Sequence, residues 1–188
     1  MKFVAITGSF ASGKSFVSGY LENLGYKVFS CDDYVKKLYL DLKIQNDVSK
    51  IIGIPAFDKK RIITIIYSDE LKRKKLEDYI HPIVRSGIED FKNKHSTEKI
   101  LFVEIPLLFE TGFNKYFDYS ISVYCSEENR LKRAKTRENF NLEIYNKITE
   151  VQLPQDEKRK LADFQVNNDL GFRDTEKQID EIITGLNK

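Results

Sequence analysis

No apolar run in the chain approaches the roughly 20 residues that a bilayer-spanning helix needs. The first apolar stretch runs straight into a glycine-bearing loop, so no signal peptide is expected either. Cysteine is scarce: Cys31 and Cys125 are the only two, each follows a predicted strand, and neither has metal-ligand spacing. That argues against a disulfide framework and fits a reduced, cytoplasmic protein better. Neither sign of charge is in excess, because 31 basic and 29 acidic residues leave a net +2, so nothing global calls for a nucleic-acid partner. Repeats and low-complexity segments are missing as well. What is there describes a soluble globular chain. With 188 residues, 41% hydrophobic and 32% charged, it is long enough for one domain with a real core and a small insertion.

Near the N-terminus the chain reads "ITGSFASGKSF". Gly8 to Ser15 fits G-x-x-x-x-G-K-[ST], the phosphate-loop spacing. Its flanks suit the motif. "KFVAI" upstream is a run of strand formers, and Phe16, Val17, Tyr20, Leu21 and Leu24 follow at helical spacing before Gly25. Gly8 and Gly13 allow the backbone to curl so that the amides of Ala11, Ser12, Gly13 and their neighbours can face phosphate oxygens. The helix start at Lys14, Ser15 and Phe16 adds positive potential. Lys14 brings a full charge to the β- and γ-phosphates, and the Ser15 hydroxyl suits Mg²⁺. A corner that used glycine for steric reasons alone would have no need of Lys14 followed by Ser15.

Five strand-like runs, "KFVAIT", "KVFSC", "KILFVEI", "YSISVYC" and "FQVNN", alternate with helical patterns. That order predicts an α/β fold with a doubly wound, five-stranded parallel sheet. The interval from the second strand to the third holds too much helix for one crossover. It reads as a helical insertion, 33–98, suited to binding a substrate, with a break at Gly53 and Pro55 and a kink or split at Pro82. After the fourth strand, Ser126 is an N-cap, and Arg130, Lys132, Arg133, Lys135 and Arg137 crowd one stretch before the turn-like "ENFN". This predicts a basic helical lid over about 130–150, because the strand before it should border the phosphate-loop strand. The runs 59–61, 72–75 and 158–160 read as solvated basic faces that also help attract a polyanion.

Ligands in open α/β sheets sit beyond the carboxyl ends of the strands. Asp32 and Asp33 follow one such end and Glu104 closes another. Phosphoryl transfer to an alcohol needs a carboxylate that orients the hydroxyl and help in holding hydrated Mg²⁺. Asp32 suits the first task and Glu104 the second, while Asp33 reads as an early-helix acid favoured by the dipole. Neither "NKHS" nor "NKIT" supplies the Asp of a guanine-reading N-K-x-D, and a motor ATPase needs more chain, which leaves a small-metabolite kinase.

The remaining landmarks resemble the dephospho-coenzyme A kinase family. They are "SCDDYVKKL", "YIHPIV", "VEIPLLFE", "RLKRAKTR" and "VQLPQDEKRKLADFQVNNDLG", in order and with similar gaps. The resemblance implies transfer of the ATP γ-phosphoryl group to the ribose 3′-hydroxyl of dephospho-coenzyme A, the last step of coenzyme A synthesis. It implies Asp32 as the acceptor-side base, with His81 and Leu108 on the substrate side. It implies Arg137 and Arg133 at the transferring group and Asn168 near the adenine. The expected partners are therefore ATP, Mg²⁺ and dephospho-coenzyme A, with no nucleic acid, membrane or obligate protein partner. His81, before Pro82, also suits the simpler task of capping backbone groups freed by a kink. Departures from the family pattern are Ser9 and Ala11 where glycines are usual, a bulky Phe10, Ser30 for an aspartate, and Lys36 for an arginine. A nucleoside monophosphate kinase is the rival within the same chemistry. A nucleotide-binding switch without catalysis is the rival outside it.

Overall fold

Parallel strands require crossovers of a dozen residues or more, usually helical, and the alternation of patterns along this chain meets that requirement. The computed structural model describes residues 1–138 and 140–188, so the Asn139 of "ENFN" and its part of the expected lid lie outside the described residues. The chain divides into two compact units, Met1–Ser30 with His95–Lys188, and Cys31–Lys94.

The first unit holds β1 (Lys2–Thr7), α1 (Lys14–Asn23), β2 (Lys27–Ser30), β3 (Ile100–Glu104), β4 (Tyr119–Tyr124), α6 (Glu127–Lys135), α7 (Leu142–Val151), α8 (Gln155–Leu161), β5 (Phe164–Asn167) and α9 (Phe172–Leu186). Among the described residues the strands form one parallel sheet in the order β2-β3-β1-β4-β5. β3 is buried along its whole length and β1 from Phe3 onward, as expected for inner strands covered on both faces. On one face Val4, Ile6 and Phe102 pack with Val17 and Leu21 of α1 and Ile179 of α9. Register puts Ile6 beside Glu104 and Ser30 beside Glu104, so the loop after β1 and the acid ending β3 leave the sheet at the same edge.

The second unit is helical: α2 (Cys31–Leu38), α3 (Leu42–Ile52), α4 (Lys59–Ile66) and α5 (Glu70–Lys94). Its own core joins Val48, Ile52, Ile62, Leu76 and Ile80. Gly87 lets α5 approach α2 closely, because a Cβ there would lie 2.5 Å from the Tyr34 ring. Asp41 and Asp58 cap α3 and α4 through backbone N–H groups, and Gly53 ends α3 at φ +77°.

Two expectations need correcting. The strand "KVFSC" stops at Ser30, because Cys31 already opens α2. Pro82 does not split its helix: α5 continues from Glu70 to Lys94 with Pro82 exposed inside it. Leu76 and Ile80 before the proline lie in the unit's core, and Gly87 after it packs closely on Tyr34 of α2, and this packing outweighs the one lost backbone bond.

Candidate functional site: the phosphate loop and its surroundings

Between β1 and α1 the chain turns on itself at Ser9–Ser12, where the Ser12 N–H donates to the Ser9 carbonyl at 3.1 Å. Ala11 sits third in that turn at φ +62°, a position that type II geometry reserves for glycine. Gly8 and Gly13 are fixed by close approach. A Cβ on Gly8 would lie 2.2 Å from the Val123 carbonyl oxygen, and one on Gly13 would lie 1.8 Å from Asn168 Nδ2. Gly13 also holds φ +101°, where side chains are strained.

Side chains from the lid helices and from the segment after β5 grip the outer side of this loop. Arg130 Nε donates to the Phe10 carbonyl at 3.1 Å. Arg133 Nη1 and Asn168 Nδ2 both donate to the Ser12 carbonyl at 3.0 Å. Among the described residues no peptide bond is cis. In a trans amide the C=O and the following N–H point in opposite directions. Turning the Phe10 and Ser12 carbonyls outward therefore turns the Ala11 and Gly13 N–H groups inward. Lys14 approaches from that inner side, with its buried ammonium donating to the carbonyls of Gly8 at 3.0 Å and Ser9 at 3.2 Å. Ser15 is exposed on the first turn of α1, and Phe16 rests against Phe172 with ring centroids 4.9 Å apart. The result is a concave set of amides, a helix start and an ammonium, which is an anion site by construction.

The lid segment sits on the crown of the loop. Ala11, Ala134 and Tyr145 form a small buried cluster joined by Phe10, Leu131 and Phe140. Arg130, itself buried, also donates to Glu127 at 2.9 Å, and the Tyr145 hydroxyl donates to the same carboxylate at 2.8 Å. Burial and that hydrogen bond push the Tyr145 phenol up to about 12. Arg137 is exposed, and its guanidinium lies 4.6 Å from the Phe10 ring centroid. At the helix start the Ser126 hydroxyl accepts from the Asn129 N–H, as a cap should.

Of the expected site residues, Arg133, Asn168 and Leu108 are each engaged within the fold. Arg133 spends its second amino group, Nη2, on the Asn168 carbonyl at 2.7 Å, and Asn168 Oδ1 accepts from Thr175. Both side chains are thus turned onto the loop and its neighbours. Leu108 is 0% exposed, so its side chain offers a substrate no surface. Lys158 corrects the reading of 158–160 as a solvated face. It is fully buried, and its ammonium donates to Glu110 at 2.8 Å and to the Pro106 carbonyl at 2.7 Å. Burial holds its pKa below the usual lysine range.

Glu104 is buried at the end of β3 and accepts from the Ser18 hydroxyl at 2.8 Å. In the helical unit, Asp32 and Asp33 are exposed in the first turn of α2, and Asp33 pairs with Lys36 at 2.7 Å. His81 lies inside α5, partly enclosed, and burial lowers its pKa, so the ring is neutral at pH 7. Among the described residues no helix is long and apolar enough to cross a membrane. Sequence reasoning placed Arg130 in the basic lid stretch and Gln152 in the C-terminal segment of the resemblance, but gave neither a partner in the phosphate loop. Their signal is only their place in the basic stretch and in the segment after it, because a bond from a side chain to a distant backbone group leaves no spacing pattern.

Comparison with known proteins adds an independent line. A family model described as dephospho-CoA kinase matches residues 2–174. A dephospho-CoA kinase of Rickettsia bellii (strain RML369-C) is 45% identical over 187 residues, which cover 99% of this chain and 98% of that protein. A solved dephospho-CoA kinase from Campylobacter jejuni aligns with a TM-score of 0.67 at 27% identity, covering 98% of this chain and 96% of the other. A solved Thermus thermophilus protein aligns with a TM-score of 0.84 at 26% identity, covering 98% and 97%.

Proposed function

We infer that this chain, which belongs to the dephospho-CoA kinase family, transfers the γ-phosphoryl group of ATP to the ribose 3′-hydroxyl of dephospho-CoA in the cytoplasm. The observation that carries this reading is the full-length family match. The phosphate loop it includes has outward-held carbonyls and an inward ammonium.

The chemistry follows from the groups available. In the transition state, charge spreads over the oxygens of the transferring group, and catalysis is mostly positioning and charge neutralisation. The inward Ala11 and Gly13 amides and Lys14 would hold the β- and γ-phosphates, while the first turn of α1 would meet the α-phosphate. Arg137, exposed at the edge of the lid, is the cation we assign to the transferring group. Arg133 and Asn168, already committed to the Ser12 carbonyl, would instead keep the loop in shape. Asp32 would orient the acceptor hydroxyl and take its proton late. The helical unit would carry the acceptor, with His81 as a neutral hydrogen-bonding group.

Mg²⁺ usually takes only one or two protein oxygens and keeps water and substrate phosphates for the rest. The Ser15 hydroxyl and the Glu104 carboxylate fit that donor set, and they would hold the ion directly or through its water. Bound there, the ion would neutralise charge on the β- and γ-phosphates.

The test is formation of ADP from Mg²⁺-ATP with dephospho-CoA, with AMP, CMP and adenosine as competing acceptors. Product is expected only with dephospho-CoA, as coenzyme A by mass. Turnover with a monophosphate instead would overturn the substrate, and ATP binding without any turnover would favour a switch. Asp32→Asn should keep ATP affinity within about twofold and lower kcat by about 10²- to 10⁴-fold. Normal turnover in that variant would remove Asp32 from the mechanism.

A further inference from the structure

The Phe10 N–H, at the crown of the phosphate loop, donates to Gln152 Oε1 at 2.7 Å. Gln152 follows α7 as its C-cap, 142 residues further along the chain. The peptide involved is Ser9–Phe10, and its other end is the Ser9 carbonyl that accepts from both Lys14 Nζ and the Ser12 N–H. Gln152 and Lys14 thus hold opposite ends of one peptide plane. The next carbonyl, that of Phe10, is held by Arg130, so residue 10 is fixed on both sides by the lid segment.

We propose that Gln152 is a positioning residue for phosphoryl transfer: by accepting the Phe10 N–H it locks the Ser9–Phe10 peptide with its carbonyl toward Lys14. Ala11, next to this peptide, sits at positive φ, a conformation that persists only where the surroundings over-determine it, so the grips on the neighbouring peptide planes matter. Without an acceptor on the outer side, the Phe10 N–H is left unsatisfied beside the buried cluster, a loss worth about tenfold or more in the population of this geometry. Rotation of that plane takes the Ser9 carbonyl from Lys14 and alters where the ammonium is held. The requirement is for an acceptor alone, and glutamate meets it where leucine does not. The inference rests on the kinase reading, since holding the ammonium matters to the rate only if the loop carries ATP.

The experiment compares wild type, Gln152→Leu and Gln152→Glu in the full-length protein. Two readouts are used: steady-state kinetics with both substrates, and amide hydrogen exchange at Phe10 without ligand. Gln152→Leu should lower kcat about tenfold, leave the KM for dephospho-CoA within twofold, and speed exchange at Phe10 about tenfold with Val4 unchanged. Gln152→Glu should restore protection at Phe10 and bring kcat to within about threefold of wild type. If the glutamate variant is as impaired as the leucine variant, or if leucine changes neither exchange nor rate, the proposal is wrong. Should Gln152→Leu fail to fold, Gln152→Glu against Gln152→Met decides by the same measures. A wild type that binds no ATP would instead sink the kinase reading, which separates the two failures.

Discussion

Ala11 holds a conformation that an L side chain adopts only at a cost of roughly 1–2 kcal/mol, at φ +62°. The residue is also buried, at 5% exposure, in the cluster with Ala134 and Tyr145. Burial of one methyl returns about 0.8 kcal/mol, and alanine narrows the unfolded ensemble relative to glycine by about 0.4–1 kcal/mol. The terms nearly cancel, which explains how the chain tolerates alanine there. Ala11→Gly should therefore change stability by less than about 0.5 kcal/mol. Ala134→Gly, at a buried helical site without strain, should cost about 2 kcal/mol from lost propensity and burial together. Urea unfolding of the two variants measures the difference. Equal losses would mean that the turn at Ser9–Ser12 stores no strain.

At the scale of elements, α8 is tied to the segment after β3 by one buried ion pair, Lys158 with Glu110, and Glu110 also accepts from the Leu153 N–H at 2.9 Å. Breaking such a pair leaves an uncompensated buried charge, so Lys158→Met should cost about 3–5 kcal/mol. Lys160→Met, two residues on, removes an exposed pair with Glu157 and should cost under about 1 kcal/mol. Comparable losses in thermal unfolding would contradict the burial argument. The same helix shows why some of the molecule was legible in sequence and some was not. The strands were readable because inner parallel strands must be apolar throughout, as "KFVAI" and "ILFV" are. The loop was readable because its Gly8-to-Ser15 spacing is a pattern local to the chain, although the close approaches that exclude a Cβ at positions 8 and 13 come from distant Val123 and Asn168. Lys158 was not, because a basic run looks the same whether it meets water or a carboxylate 48 residues away. Leu108 likewise gave no sign of its complete burial, and Pro82 signalled a kink or a split without saying which, of which the split does not occur.

The whole molecule is two units whose cores share no residue: the sheet core around Val4 and Phe102, and the helical core around Ile52 and Ile80. One is discontinuous in sequence and carries the phosphate loop, the lid and Glu104. The other is continuous, Cys31–Lys94, and carries Asp32 and His81. If nucleotide binding belongs to the first and acceptor binding to the second, the two functions should separate. Replacing 31–94 by a flexible linker of about 15 residues respects the dozen or so that a parallel crossover needs between β2 and β3. The resulting chain should keep sheet and helix by circular dichroism and bind Mg²⁺-ATP within about tenfold of the full protein. This expectation follows from a loop whose outward grips, from Arg130, Arg133, Gln152 and Asn168, all lie in the retained unit. It should transfer nothing to dephospho-CoA, since Asp32 leaves with the insertion. Retained transfer would remove the helical unit from the mechanism. A folded chain that no longer binds ATP would mean that the phosphate loop depends on the helical unit for its shape, and the division of labour argued from the two cores would fall with it.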